Sequence, residues 1–410
     1  MSRAIESTMR QSRQFVNLIM TNLYNGAKSL HFVDLKRQPL FKTPLPPTAS
    51  TDGDRFETQD AFSQTQPTES LVLERLRLPR PSFQFETSTA QDRSWYINCL
   101  PLSDRVVFCS DQCGHNFVVD GIARCLVTMP SLHKRKMMPL SIFIPSTDVE
   151  GGGSLFLVDR SPGITATRVE FESLVYRKAS FSNTYSWQAQ LLPPAPYPLY
   201  TSYSWQAQLL PPAPYPLYTK ISSYAVIGGG SHICLSVKNE GTYCLDTTRH
   251  TWSKVGTWTL PFDGKVEYVP ELKLWFGASA DRQKLAATDL SYLSSTVDSA
   301  TGFQPEVLGS WMELTLPEGW EQKGRTQLVN LGSGRFCVAR FLNEMFDPYG
   351  SGYVLLTGVE IVPHFDNLTG NDVSSGSGDG SKGKLKLQII PHKSRVYMPT
   401  TALALIQDVF

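Results

Sequence analysis

The chain has 410 residues, of which 41% are hydrophobic and 18% are charged, and its 38 basic and 37 acidic residues give a formal net charge of +1. This is the composition of a globular protein, and it excludes an intrinsically disordered chain. A nucleic-acid-binding protein would show a basic excess or a basic stripe. Neither is present, so we expect no nucleic-acid partner.

The seven cysteines and the N-terminal residues bear on the cellular compartment. Several cysteines lie inside apolar runs such as SHICLSV and GRFCVARF, as reduced core thiols do. This favours a cytoplasmic or nuclear location. No apolar run reaches the length of a membrane span, so we predict no membrane association. Residues 1–14 are predicted to be flexible, and an arginine-rich organelle-targeting peptide is the less favoured alternative.

From residue 15 onward, short apolar runs alternate with Gly, Pro, Asp, Asn and Ser. In chain order they include VVFCS, HNFVVD, SIFIP, SLFLVD, YAVI, HICLSV and KLKLQII. These runs are rich in β-branched and aromatic residues, which predicts an all-β fold. We assign residues 15–410 to a single domain. We expect disordered loops near residues 46–70 and 369–384, which are polar or rich in Gly and Ser.

Two polar segments in the first half of the chain have residue types that suggest a function. Cys109, Cys113 and His115 lie in CSDQCGH, but no second ligand pair follows at a matching spacing. A strand and a turn therefore explain the segment better than a zinc site does. The basic cluster HKRK spans residues 133–136. A solvated loop is the favoured interpretation, and a nuclear localisation signal is the alternative.

One pattern of strands recurs along the chain. GGGSLFLVDRSPG and GGGSHICLSVKNEG open alike, and each leads to a Tyr-containing strand, a tryptophan and an apolar-apolar-Pro exit. The tryptophans are Trp187, Trp252 and Trp311, at intervals of 65 and 59 residues. Without an 18-residue duplication the first interval is 65 − 18 = 47. Periods of about 40–50 residues are typical of β-propeller blades. We predict an irregular kelch-like β-propeller of five to seven blades, with six favoured.

The segment LDTTRHTW resembles the corner of a kelch blade. Asp246 and the following threonines can cap the turn through local hydrogen bonds. Trp252 is then expected to pack between neighbouring blades.

A Pro-rich phrase occurs twice in the sequence: residues 185–201 are identical to residues 203–219. We interpret the extra copy as a tandem duplication, or as an artefact of the gene model, in a surface loop at 185–220. Prolines would keep that loop out of a sheet ladder. Only one of its two tryptophans could then fill the packing site of a blade. The other copy would be an exposed docking loop formed by Trp205, Pro211, Pro212 and Tyr215.

The sequence matches known catalytic motifs only weakly. GDGSKGKL mimics a phosphate loop, but Leu385 stands where Ser or Thr would hold magnesium. Asp263, Glu267 and Glu271 could form an acid–base set, yet a hairpin explains them better. No GxSxG or HExxH motif occurs. We therefore predict no catalytic residue, cofactor or metal. A non-catalytic protein is favoured, and an enzyme stays the alternative.

Several blocks resemble a large plant family of uncharacterised kelch-like proteins that is expanded in cereal grasses. The blocks are ISSYAVIGGGSHICLSV, GTYCLDTTRHTWSKVGTWTLPFDGKVEYVPELKLWFG and LVNLGSGRFCVARF. The resemblance implies a propeller-like fold in a plant cell, and it implies no activity. The duplicated phrase departs from it, because a single copy is usual.

These observations favour a non-catalytic binding module or scaffold that recruits a protein partner through loops on one propeller face. The alternatives are a propeller hydrolase or lyase acting on a sugar, and a recent gene duplicate with no retained role.

Overall fold

The computed structural model describes most of the chain from residue 13 to residue 410. The described residues are 13–42, 73–86, 96–134, 136, 138–146, 153–160, 169–178, 203–281, 284–294, 304–311, 316, 318–344, 352–364, 386–399 and 404–410. Nearly all of the predicted flexible terminus, the loops at 46–70 and 369–384, and the first copy of the Pro-rich phrase with Trp187 lie outside them.

The described residues form strands and two short 3₁₀ turns, at Gly228–Gly230 and Ser291–Ser294, with no α-helix among them. The prediction of an all-β fold is confirmed. The strands of the first half are β1 (Phe15–Asn22), β2 (Lys28–Asp34), β3 (Leu73–Arg75), β4 (Phe83–Phe85), β5 (Ile97–Pro101), β6 (Val106–Asp111), β7 (Asn116–Asp120), β8 (Cys125–Met129), β9 (Pro139–Pro145), β10 (Gly153–Asp159), β11 (Phe171–Lys178) and β12 (Tyr203–Leu209).

The strands of the second half are β13 (Ile221–Ile227), β14 (His232–Val237), β15 (Gly241–Asp246), β16 (Trp252–Gly256), β17 (Gly264–Val269), β18 (Leu274–Ala278), β19 (Leu285–Thr288), β20 (Gly309–Trp311), β21 (Trp320–Gln322), β22 (Gln327–Gly332), β23 (Arg335–Glu344), β24 (Tyr353–His364), β25 (Lys386–Tyr397) and β26 (Ala404–Val409).

Consecutive strands pair into antiparallel meanders. β5–β8 and β9–β12 each form a four-stranded sheet, and β13–β16 and β17–β20 form two meanders joined by a parallel pairing of β13 with β17. β22–β25 form the next meander, with β21 and β3 at its margins. The final strand, β26, pairs with β1 in the sheet β26-β1-β2-β4, so the two ends of the chain share one sheet.

At four junctions between successive meanders, the first strands lie next to one another. β5 neighbours β9, β13 neighbours β17, β17 neighbours β22, and β22 neighbours β26. Sheets that meet along their first strands and radiate outward are the arrangement of a β-propeller. The protein therefore has a propeller-like fold. The number of blades and the assignment of residues 15–410 to one domain stay predictions.

Most of the core is divided into six clusters that lie between successive sheets. Strand β14 shows why, because its alternate side chains point to opposite faces. Ile233, Leu235 and Val237 pack against the preceding sheet, whereas Cys234 faces the following one. Both faces are buried, which explains the nearly continuous apolar run HICLSV.

One feature of the core corrects the sequence prediction. Cys234 on β14 and Cys244 on β15 stand directly opposite each other and are joined by a disulfide. Opposed positions on antiparallel strands bring two β-carbons close enough for this bond. The interpretation of the cysteines in apolar runs as reduced core thiols is therefore wrong for Cys234, which lies in SHICLSV. The described free cysteines are Cys99, Cys109, Cys113, Cys125 and Cys337.

Candidate functional site

The turn between β15 and β16 is organised by Asp246. Its Oδ1 accepts hydrogen bonds from the backbone N–H groups of Thr248 and Arg249, each at 2.8 Å. The hydroxyl of Thr247 donates to the carbonyl of Gly230 at 2.7 Å. The backbone hydrogen bonds from Arg249, the stronger of the two, and from Thr248 hold the pKa of Asp246 below its usual value against the opposing effect of burial. Asp246 thus acts as a turn cap.

Trp252 lies between two successive sheets. Its ring meets Phe171 of β11 edge-on, with centroids 5.2 Å apart and planes at 88°. Its indole N–H donates to the carbonyl of Pro211 at 3.2 Å. Trp311 ends β20 and pairs with Leu285 of β19.

The second copy of the Pro-rich phrase is built into the sheet. Residues YSWQAQL form β12, in which Trp205 pairs with Tyr176 of β11. Proline first appears at Pro211, after the strand has ended, so it does not interrupt the ladder. Tyr215 is only 5% exposed, in the core cluster between the β9–β12 and β13–β16 sheets. The prediction of an exposed docking loop is therefore wrong at Tyr215, while Pro211 and Pro212 are exposed.

The carboxylates considered for acid–base chemistry do not act as a set. Glu267 Oε1 lies 2.6 Å from the ammonium of Lys265, and Asp263 Oδ1 lies 3.1 Å from Nη2 of Arg325. Glu271 is exposed in the turn after β17. Glu267 and Asp263 thus each have a cationic partner of their own.

Charged side chains also gather near the first strands. Desolvation by the surrounding strands would lower the pKa of Lys265, but Glu267 and Tyr224 outweigh it and raise that pKa, although 58% of the side chain is exposed. Burial raises the pKa of Asp408 to about 6, against the hydrogen bond from Gln327. That hydrogen bond measures 2.9 Å from Gln327 Nε2 to Asp408 Oδ1.

The structure bears on two other sequence interpretations: CSDQCGH forms the end of β6 and the following turn, as expected, whereas HKRK departs in part from a solvated loop. Cys109 is fully buried and its Sγ lies 3.8 Å from that of Cys99, so it does not join Cys113 and His115 in a metal site. The basic cluster is solvated only in part, because His133 and Lys134 are exposed whereas Lys136 is 3% exposed. Its ammonium lies 2.7 Å from Oε1 of the fully buried Glu172. The packing of Lys136 against β11 therefore hides this lysine from a nuclear import receptor.

The most distinctive surface is the outer edge of the β5–β8 sheet. Four consecutive residues of β8, Cys125 to Thr128, are exposed, with Leu126 at 52% and Val127 at 51%. Ile122 in the preceding turn is 56% exposed. Among the described strands, β8 pairs only with β7, and that pairing is regular throughout. We refer to Ile122 and Cys125–Met129 as the β8 edge.

Within the described part of the chain, the β8 edge lacks the usual protection of an edge strand. Natural sheets blunt such strands with charges, prolines or bulges, because free N–H and C=O groups invite another strand to pair. The sequence CLVTM has neither a charge nor a proline. No composition or periodicity signal in the sequence singled out this strand, because its pattern matches that of the buried strands.

Comparison with models of protein families identifies the family of the chain. The model described as "Protein of unknown function (DUF1668)" matches residues 13–397. The chain belongs to the DUF1668 family. No curated protein matches this DUF1668 protein.

Among solved structures, this DUF1668 protein is similar to the fission yeast SREBP–SCAP binding domains, at 12% identity and a TM-score of 0.34 over 84% of this chain and 93% of that one. It is also similar to the WD40 domain of SCAP from fission yeast, at 10% identity and a TM-score of 0.31 over 96% and 89% of the two chains. A third is the Cps50 (Swd1) β-propeller domain of Myceliophteria thermophila, at 8% identity and a TM-score of 0.25 over 63% and 95%. Identities and TM-scores this low support no inference about function. The assignment of a propeller-like fold rests on the order of the strands in the sheets.

Within the described residues of this DUF1668 protein, no helix is long and apolar enough to cross a membrane.

Proposed function

We propose that this protein is a non-catalytic binding module, and that its partner is another protein whose extended segment pairs with the β8 edge. The unprotected edge strand carries the proposal. Leu126 and Val127 add exposed apolar surface to the backbone groups of β8 that no other described strand pairs with. In this mode of recognition, main-chain hydrogen bonds supply affinity and alternate side chains supply specificity.

Comparative affinity capture from cell extract tests the role of the β8 edge. The baits are the wild-type chain, the variant Val127→Pro with Leu126→Lys, and the control Tyr24→Ser. Tyr24 is 84% exposed and lies in the β1–β2 turn, on another sheet. We expect a set of proteins that the wild type and the control retain and that the β8 variant loses at least about tenfold.

Identical capture by all three baits would overturn the proposal. Sedimentation measurements on the wild type address a second outcome, which is pairing of β8 with β8 of another copy. A dimer that the β8 variant abolishes would mean that the edge serves self-association, and it would replace the proposed foreign partner.

We further propose that the propeller has six blades and that its repeats are of the kelch type. Six of the seven core clusters of the described residues support this count, since each of the six joins two successive sheets and one joins the β22–β25 meander back to the sheet of β1 and β26. A plant source and a tandem duplication also remain predictions from the sequence. A cytoplasmic or nuclear location is likewise a prediction from the sequence.

The alternative of a sugar-directed hydrolase or lyase has one observation in its favour, the raised pKa of Asp408 beside other charged groups. Catalysis of this type needs two carboxylates that converge on one substrate. Asp408 is held by Gln327, and Glu267 is paired with Lys265. Release of sugar from model glycosides by the wild type, and its loss in Asp408→Asn, would support the enzyme.

A further inference from the structure

The turn that joins β6 to β7 brings together three side chains with different donor atoms. Asp111, Cys113 and His115 offer a carboxylate oxygen, a thiol sulfur and an imidazole nitrogen that all lie within 4.8 Å of one another. We refer to these three residues as the 111–115 cluster. They alternate along five residues, so a single tight turn presents all three.

Hydrogen bonds fix the shape of this turn. Asp111 Oδ1 accepts the backbone N–H groups of Cys113 and His115, each at 2.8 Å. Asp111 Oδ2 lies 2.9 Å from Nδ1 of His115. One carboxylate oxygen thus holds the backbone, and the other faces the imidazole. The following residue anchors the start of β7, because the Asn116 amide donates to the carbonyl of Pro130 at 2.8 Å.

The distances between the three donor atoms are close to those between the ligand atoms of a metal site. Zinc bonds of roughly 2.0–2.3 Å at tetrahedral angles place neighbouring ligand atoms about 3.3–3.6 Å apart. The atoms of the 111–115 cluster need to move by only about 1 Å to reach these distances. Cys113 and His115 are exposed, so their side chains are able to make that movement and an ion has direct access.

The donor set also selects the class of metal. Calcium and magnesium take oxygen ligands, whereas a thiolate, an imidazole and a carboxylate together suit zinc and its neighbours. One thiolate and one carboxylate neutralise a divalent charge. We propose that the 111–115 cluster binds a divalent transition-metal ion, with zinc as the best-fitting ion and water in the fourth coordination position.

This site is independent of the proposed protein-binding role, because the 111–115 cluster and the β8 edge share no residue. A zinc-binding measurement on the purified chain therefore succeeds or fails without reference to any protein partner.

The test is titration of the full-length chain with cobalt(II) and with zinc(II) in competition with a chromophoric chelator. We expect one ion per chain and a thiolate-to-cobalt charge-transfer band. Cys113→Ser should abolish that band, and His115→Gln and Asp111→Asn should weaken zinc binding at least about tenfold. Asp111→Asn retains an amide oxygen that can accept the two backbone hydrogen bonds, so the turn should survive.

The matched control is Cys125→Ser, which removes the exposed thiol of β8 on the same sheet. It should bind zinc as the wild type does. Circular dichroism identical to that of the wild type verifies the fold of each variant. The proposal is overturned if the wild type binds no stoichiometric zinc below about 100 μM. It is equally overturned if Cys125→Ser, rather than Cys113→Ser, removes the charge-transfer band.

Discussion

The ammonium of Lys136 lies 2.7 Å from Oε1 of Glu172, and both side chains are almost completely removed from solvent. Glu172 is on β11, and Lys136 is in the connection that leads from β8 to β9. The same carboxylate accepts the backbone N–H groups of His133 and Lys134. One buried acid on β11 therefore fixes the connection between two sheets.

Removal of Lys136 should be strongly destabilising. Lys136→Met leaves the charge of Glu172 buried without its main partner, and we expect a loss of about 3–5 kcal/mol in the free energy of unfolding. The double variant Lys136→Met, Glu172→Leu should recover part of that loss. Urea denaturation at pH 7 measures both. A double variant that is less stable than Lys136→Met would contradict this account.

Contact between the β9–β12 and β13–β16 sheets depends on Phe171 and Trp252. Phe171 is fully buried, so Phe171→Ala should cost about 3–5 kcal/mol, and Trp252→Ala should cost less because that ring is only partly buried. A double-mutant cycle by chemical denaturation should give a coupling of about 0.5–1.5 kcal/mol. Tyr24→Ala is the matched control at an exposed aromatic and should change stability by less than about 0.5 kcal/mol. A coupling of zero would mean that the two rings stabilise the protein separately.

Deletion of residues 185–202 should leave the thermal stability almost unchanged. The retained copy supplies β12 and the buried residues that follow it, and shortening a connection has a small entropic effect. Tyr215→Ala in the same background should instead lower the free energy of unfolding by about 3 kcal/mol or more. Thermal melting of both variants measures the difference. A large loss on deletion alone would show that the first copy is also a structural element.

The disulfide is open to direct chemical measurement. Of the seven cysteines, Cys234 and Cys244 are paired, so thiol titration of the denatured, unreduced chain should detect five thiols. Prior reduction should raise the count to seven. Cys234→Ala with Cys244→Ala should lower the free energy of unfolding by about 2–4 kcal/mol, because the crosslink restricts the unfolded chain. Seven thiols before reduction would be incompatible with the bond.

Asp408 should make stability depend on pH. Burial raises its folded-state pKa to about 6, above the usual value of ~4 in the unfolded chain. The carboxyl therefore favours folding fully below pH ~4, and this contribution is lost as the pH rises through about 6. Asp408→Asn keeps an oxygen for Gln327 and removes the ionisation. We expect the variant to be more stable by about 1–3 kcal/mol at pH 7, with the gain shrinking toward pH 4. Equal stability of the two proteins across this range in urea denaturation would argue against the raised pKa.

Local patterns in the sequence were sufficient for the class of fold and for some of its turns. Strand residues alternate between two faces, so short apolar runs rich in Val, Ile and Phe specify strands wherever they end up packing. Asp246 caps its turn through residues two and three positions away, which is why LDTTRHTW could be interpreted without a structure.

Contacts between distant parts of the chain were decided only by the tertiary structure. The pairing of β1 with β26 and the bond of Lys136 with Glu172 depend on the packing of several sheets, and no local pattern encodes them. The two identical copies of the Pro-rich phrase have the same local preferences, so their sequence could not indicate which would supply β12. The exposure of β8 was hidden for a related reason. Its residues favour a strand as strongly as those of the core, and only its place at the edge of a sheet leaves them in contact with solvent.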